Sequence, residues 1–167
     1  MAISAAQVKK LRALTNAGVM ECKSALESAD GDMVKAAEIL KERGLARAEK
    51  RSERETSQGL VECYTHAGGR IGSMVEVNCE TDFVARTDEF KNLAHDLAMQ
   101  VAATGPLAIT QDDLPKDAEG EPAEVCLMLQ PYIKDASRTV DDLMKDVISA
   151  TGENIRVTRF SRFELGQ

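Results

Sequence analysis

At 167 residues, with 43% apolar and 29% charged residues, the chain is long and apolar enough to bury a core that needs neither disulfides nor a metal. A formal net charge of −7 disfavours indiscriminate binding to phosphate backbones, which relies on surplus Lys and Arg to displace counterions. No apolar run approaches the ~20 residues of a membrane span, and the start, "MAISAAQVKKLRAL", has no long apolar h-region or cleavage pattern. A cytoplasmic protein is expected, with a protein partner and with neither membrane nor nucleic acid bound. Cys22, Cys63, Cys79 and Cys126 are widely spaced, and neither His66 nor His95 sits at a zinc-finger interval from them, so four reduced thiols are expected.

Ser4 and Gln7 form a capping-box pattern ahead of Val8, Leu11 and Leu14 at helical spacing, and "TNAG" at 15–18 stops the run. Cys22, Ala25, Leu26 and Ala29 recur at i, i+3, i+4 and i+7; "DGD" at 30–32 interrupts them, and Met33, Ala36, Ala37 and Leu40 resume behind an Asp32 cap. Three short helices over 1–40 must pack on one another, because none is long enough to be stable alone. The charged stretch 41–56 reads as a helical extension or linker, and after it the period changes from 3.6 to 2.

The domain from 57 to 167 begins with two alternating runs around Gly68 and Gly69, a hairpin with a tight turn. A third strand closes the chain at Asn154 to Leu165. Between them, Phe90, Leu93, Ala94, Leu97, Ala98 and Val101 mark one amphipathic helix, and Val140, Leu143, Met144, Val147 and Ile148 mark another, capped by Thr139. The segment 105–124, with Pro106, Pro115, Pro122 and many acids, is a loop-rich connection. The fold class expected is α+β: three helices, then a three-stranded antiparallel sheet with packed helices.

Chemistry is harder to find. No Gly-rich phosphate loop occurs, so no nucleotide cofactor is expected in this chain. Cys79 is a nucleophile only if His66 or His95 approaches it; otherwise it is a small buried thiol at a strand end. Glu80, Asp82 and Asp88 match no hard-cation frame, so no metal is expected either. What remains is "ETDFV" directly after the second strand. Thr81 or Asp82 can cap a short turn there, and Phe83 at its corner either folds back into the core or stands out for a partner.

Three segments carry a resemblance. "VKKLRALTNAGVMECKSAL" (Val8 to Leu26), "VEVNCETDFVARTDEF" (Val75 to Phe90), and "VCLMLQPYIKDASRTV" (Val125 to Val140) with "GENIRVTRFSRFELG" (Gly152 to Gly166) are similar to the first, second and closing sections of the elongation factor Ts family. Asn16 and Val19 stand where the family more usually has a small residue and methionine. The acidic connection 105–124 stands where long members carry half a core and a coiled coil, so the chain resembles the short form. The resemblance implies a guanine-nucleotide exchange factor for elongation factor Tu, which is no enzyme. Thr81, Asp82, Phe83 and Val84 would enter beside the partner's magnesium and phosphate site, with Phe83 as apolar wedge and Asp82 disturbing the magnesium environment. It also implies a ubiquitin-associated-like module at the N-terminus, docking through Ala17, Gly18, Val19 and Met20. Two rival readings from other classes are a cysteine-dependent enzyme built on Cys79 and an RNA-binding module using Lys41 to Arg54 with the arginines of "IRVTRFSRF".

Strand parity adds one more expectation. Val61, Cys63, Ile71, Val75, Val77, Ile155, Val157 and Phe163 share the odd face and would meet the helices. Leu60, Tyr64, Met74 and Phe160 fall on the even face, which a three-stranded sheet in so short a chain leaves bare, so a homodimer through those four is expected. A bulge near Arg159 would switch parity and bury Phe160 instead.

Overall fold

The structure, a computed structural model, describes residues 3–15, 17–66 and 68–166, with side chains at 45 and 47–49 left aside. Asn16, singled out above, lies outside the described residues, as does Ala67 in the hairpin turn.

The chain runs through helices α1 (Ala5–Thr15), α2 (Val19–Ser28) and α3 (Met33–Arg51), then strands β1 (Gln58–Thr65) and β2 (Ile71–Cys79). Helices α4 (Asp82–Ala85), α5 (Asp88–Thr104) and α6 (Pro122–Val125) follow. A small hairpin, β3 (Pro131–Tyr132) and β4 (Asp135–Thr139), leads into α7 (Val140–Thr151), and β5 (Ile155–Glu164) ends the fold. The architecture is α+β, three helices followed by an antiparallel sheet of order β1-β2-β5 with helices packed on it. Among the described residues no helix is long and apolar enough to cross a membrane.

The caps read from the sequence are in place. Ser4 and Gln7 exchange hydrogen bonds at the start of α1, and Asp32 accepts from the Val34 and Lys35 amides at the start of α3. Thr139 and Asp142 cap α7 reciprocally. Leu11, Cys22, Ala25, Leu26, Ala36 and Leu40 form the module's own core. Helix α3 continues through position 40 to Arg51 without a break and lies along α7, crossing it where Gly44 has no side chain. An ideal Cβ on Gly44 would sit 2.2 Å from Ser149 Oγ, so the absent side chain permits the close approach.

The larger core gathers Val75, Val77 and Cys79 of β2, Phe90, Leu93, Leu97 and Val101 of α5, Val140, Met144 and Val147 of α7, and Ile155 and Val157 of β5. The connection after α5 is held by buried amides as well as by apolar packing, with Leu127 in the core and Ile109 and Met128 against it. Gln100, fully buried on α5, donates to Gln130 and to the Pro131 carbonyl, and accepts from the Ile133 amide at 2.9 Å. Gln130 in turn donates to the Glu124 carbonyl and accepts from Thr104. Buried amides with bonding partners are tolerated, and here they tie the segment from Glu124 to Ile133 to α5.

The parity expectation is corrected on two strands. Leu60 stands opposite Val77, Tyr64 opposite Ser73 and Cys63 opposite Met74, so even positions of β1 share a face with odd positions of β2. His66 bonds to Ile71 with four residues between them, and an even-numbered connection gives opposed residues unlike parity. On β5, Val157 pairs with Val77 and Arg159 with Glu76, leaving Thr158 as an extra residue; this bulge turns Phe160 inward, opposite Val75. Leu60, Tyr64 and Phe160 therefore pack against the helix-covered core, and of the four residues expected on the bare face only Met74 is there. The bare face carries Val61, Cys63, Met74 and Phe163, the last 72% exposed.

Candidate functional site

Between β2 and α5 the chain makes one tight helical turn, α4. Thr81 is its N-cap in extended backbone conformation, and its hydroxyl accepts from the Val84 amide at 3.4 Å. Thr87 closes the other end, donating through Oγ1 to the Val84 carbonyl at 2.8 Å while accepting from the Phe90 amide at 3.2 Å, so one side chain ends α4 and caps α5. Val84 and Ala85 lean on the core. Phe83 does not: it projects from the turn and is 79% exposed. Beside it Asp82 pairs with Arg86, one turn on, at 2.8 Å, and both side chains are well exposed. The four residues expected to act together thus sit on a single turn, with an anchored side (Val84) and a presented side (Asp82 and Phe83).

The turn is fixed from beneath by residues that local sequence did not single out. Glu153, in the loop after α7, accepts from the Thr81 amide at 3.0 Å and from its hydroxyl at 2.6 Å. Next to it, the Asn154 amide donates to Glu80 at 2.7 Å, and the Asn154 side chain donates to the carbonyls of Ser52 and Arg54 just past α3. These contacts join residues 72 to 102 positions apart, and no local pattern in the chain announces them.

At the N-terminal module, Gly18 caps α2 and its amide donates to Glu21 at 3.2 Å. Ala17 packs on the module's core. Val19 and Met20 point outward, 51% and 73% exposed, so they do not close that core. Thr15 and Ala17 share a cleft of about 370 Å³ with Glu89 at the start of α5 and with Lys145, Ser149 and Ala150 of α7.

The environment of Cys79 is that of a structural thiol. It is buried, donates to the Thr81 carbonyl at 3.2 Å, and burial, reinforced by the negative charge of Glu153, pushes its pKa up to about 11. The two histidines are engaged elsewhere, His95 with Glu62 and His66 with Tyr64. Of the carboxylates weighed as a cation set, Glu80 takes Asn154 and Arg54, and Asp82 takes Arg86. Of the arginines weighed for RNA, Arg54 pairs with Glu80, Arg159 with Glu76, Arg162 with Glu164, and Arg156 donates to the Ser52 carbonyl.

The profile of the family described as Elongation factor TS matches residues 2–121, well over half of the chain. The chain belongs to the elongation factor Ts family. Among its relatives, the elongation factor Ts of Carboxydothermus hydrogenoformans is 47% identical over 195 residues, covering 99% of this chain and 90% of the relative. That of Coprothermobacter proteolyticus is 46% identical over 197 residues and that of Thermotoga maritima 45% over 195; each alignment takes in the whole of this chain and 100% and 98% of the relative respectively. Membership makes the chain a translation elongation factor of protein biosynthesis. The elongation factor Ts relatives carry residues that this chain lacks, since the alignments run over 195 to 197 positions against 167 here.

Proposed function

We propose that the protein promotes release of GDP from elongation factor Tu by pressing the Thr81–Val84 turn into the partner beside its magnesium and phosphate site. The observation that carries the reading is Phe83: a large apolar side chain, 79% exposed, on a turn capped at both ends. An unpartnered aromatic costs free energy in water, and its exposure is accounted for when it becomes an anchor in a complex. Asp82 beside it supplies a carboxylate that competes for the environment of a divalent cation. No bond is made or broken. The factor binds the nucleotide-free partner more tightly than the GDP-bound one, and that difference in affinity drives GDP out and leaves the site open to GTP. Val19 and Met20, exposed on the other module, support a second contact with the same partner, Met being suited to an adaptable interface.

The bare face of the sheet supports association of two copies. It carries both charge signs in one row, Glu76 and Arg159, flanked by Val61, Met74 and Phe163, and such a face is complementary to itself across a two-fold axis.

The test is release of labelled GDP from elongation factor Tu with and without the protein. Accelerated release, reduced in Phe83→Ala, is expected. A release rate that the wild-type protein leaves unchanged overturns the reading.

A further inference from the structure

The turn that presents Phe83 is four residues long, and a single helical turn does not sustain itself in water. Its own cap is a long bond, 3.4 Å from the Val84 amide to Thr81 Oγ1. Something outside the turn has to hold it.

Glu153 meets that need by geometry. One carboxylate oxygen takes the Thr81 amide at 3.0 Å and the other takes the Thr81 hydroxyl at 2.6 Å. A carboxylate only accepts, so the single hydroxyl proton of Thr81 is committed to Glu153 and the lone pairs of Oγ1 are left facing the Val84 amide. The same contact that anchors Thr81 therefore makes it a competent cap. Glu153 follows Gly152, which ends α7 in left-handed conformation and turns the chain back under β2. Its neighbour Asn154 ties that loop to Glu80 on one side and to the end of α3 on the other.

We propose that Glu153 is a positioning residue for the Phe83 turn, with Asn154 linking its loop to the helix that comes from the N-terminal module. The inference rests on the reading of Phe83 as the wedge. Without Glu153 the part-buried Thr81 amide loses its acceptor and the turn opens locally, while the core beneath keeps its packing. Phe83 then spends only part of its time in the binding orientation, and apparent affinity falls by that fraction. The loss reads as a higher half-saturating concentration of the factor rather than as a lower maximal rate.

The experiment compares wild type, Glu153→Ala, Glu153→Gln and Thr81→Val in two measurements. In the free protein, amide hydrogen exchange at Val84 and Ala85 should quicken about tenfold in Glu153→Ala, the scale of one lost charge-assisted hydrogen bond, with Val75 and Val77 unchanged. Glu153→Gln, which keeps one acceptor oxygen, should fall between, and so should Thr81→Val, which keeps the amide bond. In GDP release from elongation factor Tu, the half-saturating concentration should rise about tenfold in Glu153→Ala with the plateau rate near wild type. Unchanged exchange at Val84 overturns the proposal. So does protection lost equally in β2, which marks a general structural role, or a faster turn with unaltered half-saturation. If the wild-type protein does not stimulate release, the exchange reading falls by itself and the amide measurement alone decides whether Glu153 holds the turn.

Discussion

Val75 and Phe160 stand directly opposite one another in β2 and β5, on the face of the sheet that the helices cover. Three residues further on, Phe163 lies on the other face, against Gly72. Two phenylalanines on one strand are therefore expected to behave differently. Phe160→Ser should lower the unfolding free energy by about 2 kcal/mol, less than for a fully buried ring, because Phe160 is half-buried. Phe163→Ser should change it by no more than about 0.5 kcal/mol yet shift a dimer to monomers. Urea unfolding and light scattering at micromolar concentration measure the two effects. A monomeric wild type removes the self-association; a dimer that survives Phe163→Ser and Met74→Ser places it on another face.

Phe83 and Phe90 make a second contrasting pair. Phe90 is fully buried, and Phe90→Ala should cost ~3–5 kcal/mol. Phe83→Ala should leave the melting temperature near wild type and slow GDP release; Asp82→Ala, which removes only the exposed pair with Arg86, should do likewise. A large thermal destabilisation by Phe83→Ala would show that the ring supports the monomer.

The crossing of α3 and α7 is expected to depend on Gly44. Adding a valine side chain there forces the helices apart, at a cost typical of overpacking, ~1–3 kcal/mol. Pairing Gly44→Val with Ser149→Gly should recover part of it, since the Ser149 side chain is what a Cβ at 44 would strike. Denaturant midpoints of the two single variants and the double give the coupling; simple additivity would mean that the two positions do not meet.

Cys79 contributes to the pH dependence on the alkaline side. Its folded pKa is raised from an ordinary 9.0 to about 11, so burial of the neutral thiol is fully favourable below pH 9 and is lost as pH rises through 11. Iodoacetamide should label exposed Cys63 well before Cys79, whose labelling should begin only as pH approaches 11. Peptide mass spectrometry resolves the two. Cys79→Ser should retain GDP release, whereas labelling of Cys79 at pH 7 would point to a thiolate and revive a nucleophilic role.

Linkage gives a test that needs no variant. If the factor acts by disfavouring bound GDP, then GDP must weaken the binding of the factor to elongation factor Tu by the same ratio as the factor weakens that of GDP. Titrations of the partner, empty and GDP-loaded, measure both. Equal affinity for the two forms would exclude the exchange mechanism.

Helix positions, their caps and the Thr81–Val84 turn were legible from the chain because their causes are local. Asp32, Thr139 and the i, i+3, i+4 spacing of Phe90, Leu93 and Leu97 act within one or two turns of themselves. That Phe83 stands out was not decided by composition, which allowed it to fold inward; Val84 and Ala85 take the places against the core, and Phe83 projects from the turn. Tertiary structure alone decided three further things. The hairpin connection and the Thr158 bulge set which face of each strand is covered, and a one-residue change in either inverts every side chain beyond it. The Gln100 and Gln130 amides find partners only once the connection has folded back over α5. Glu153 and Asn154 meet Thr81, Glu80 and the end of α3 only when α7 has packed, because contacts between groups 72 or more positions apart depend on the path of the chain and not on the spacing of its residues.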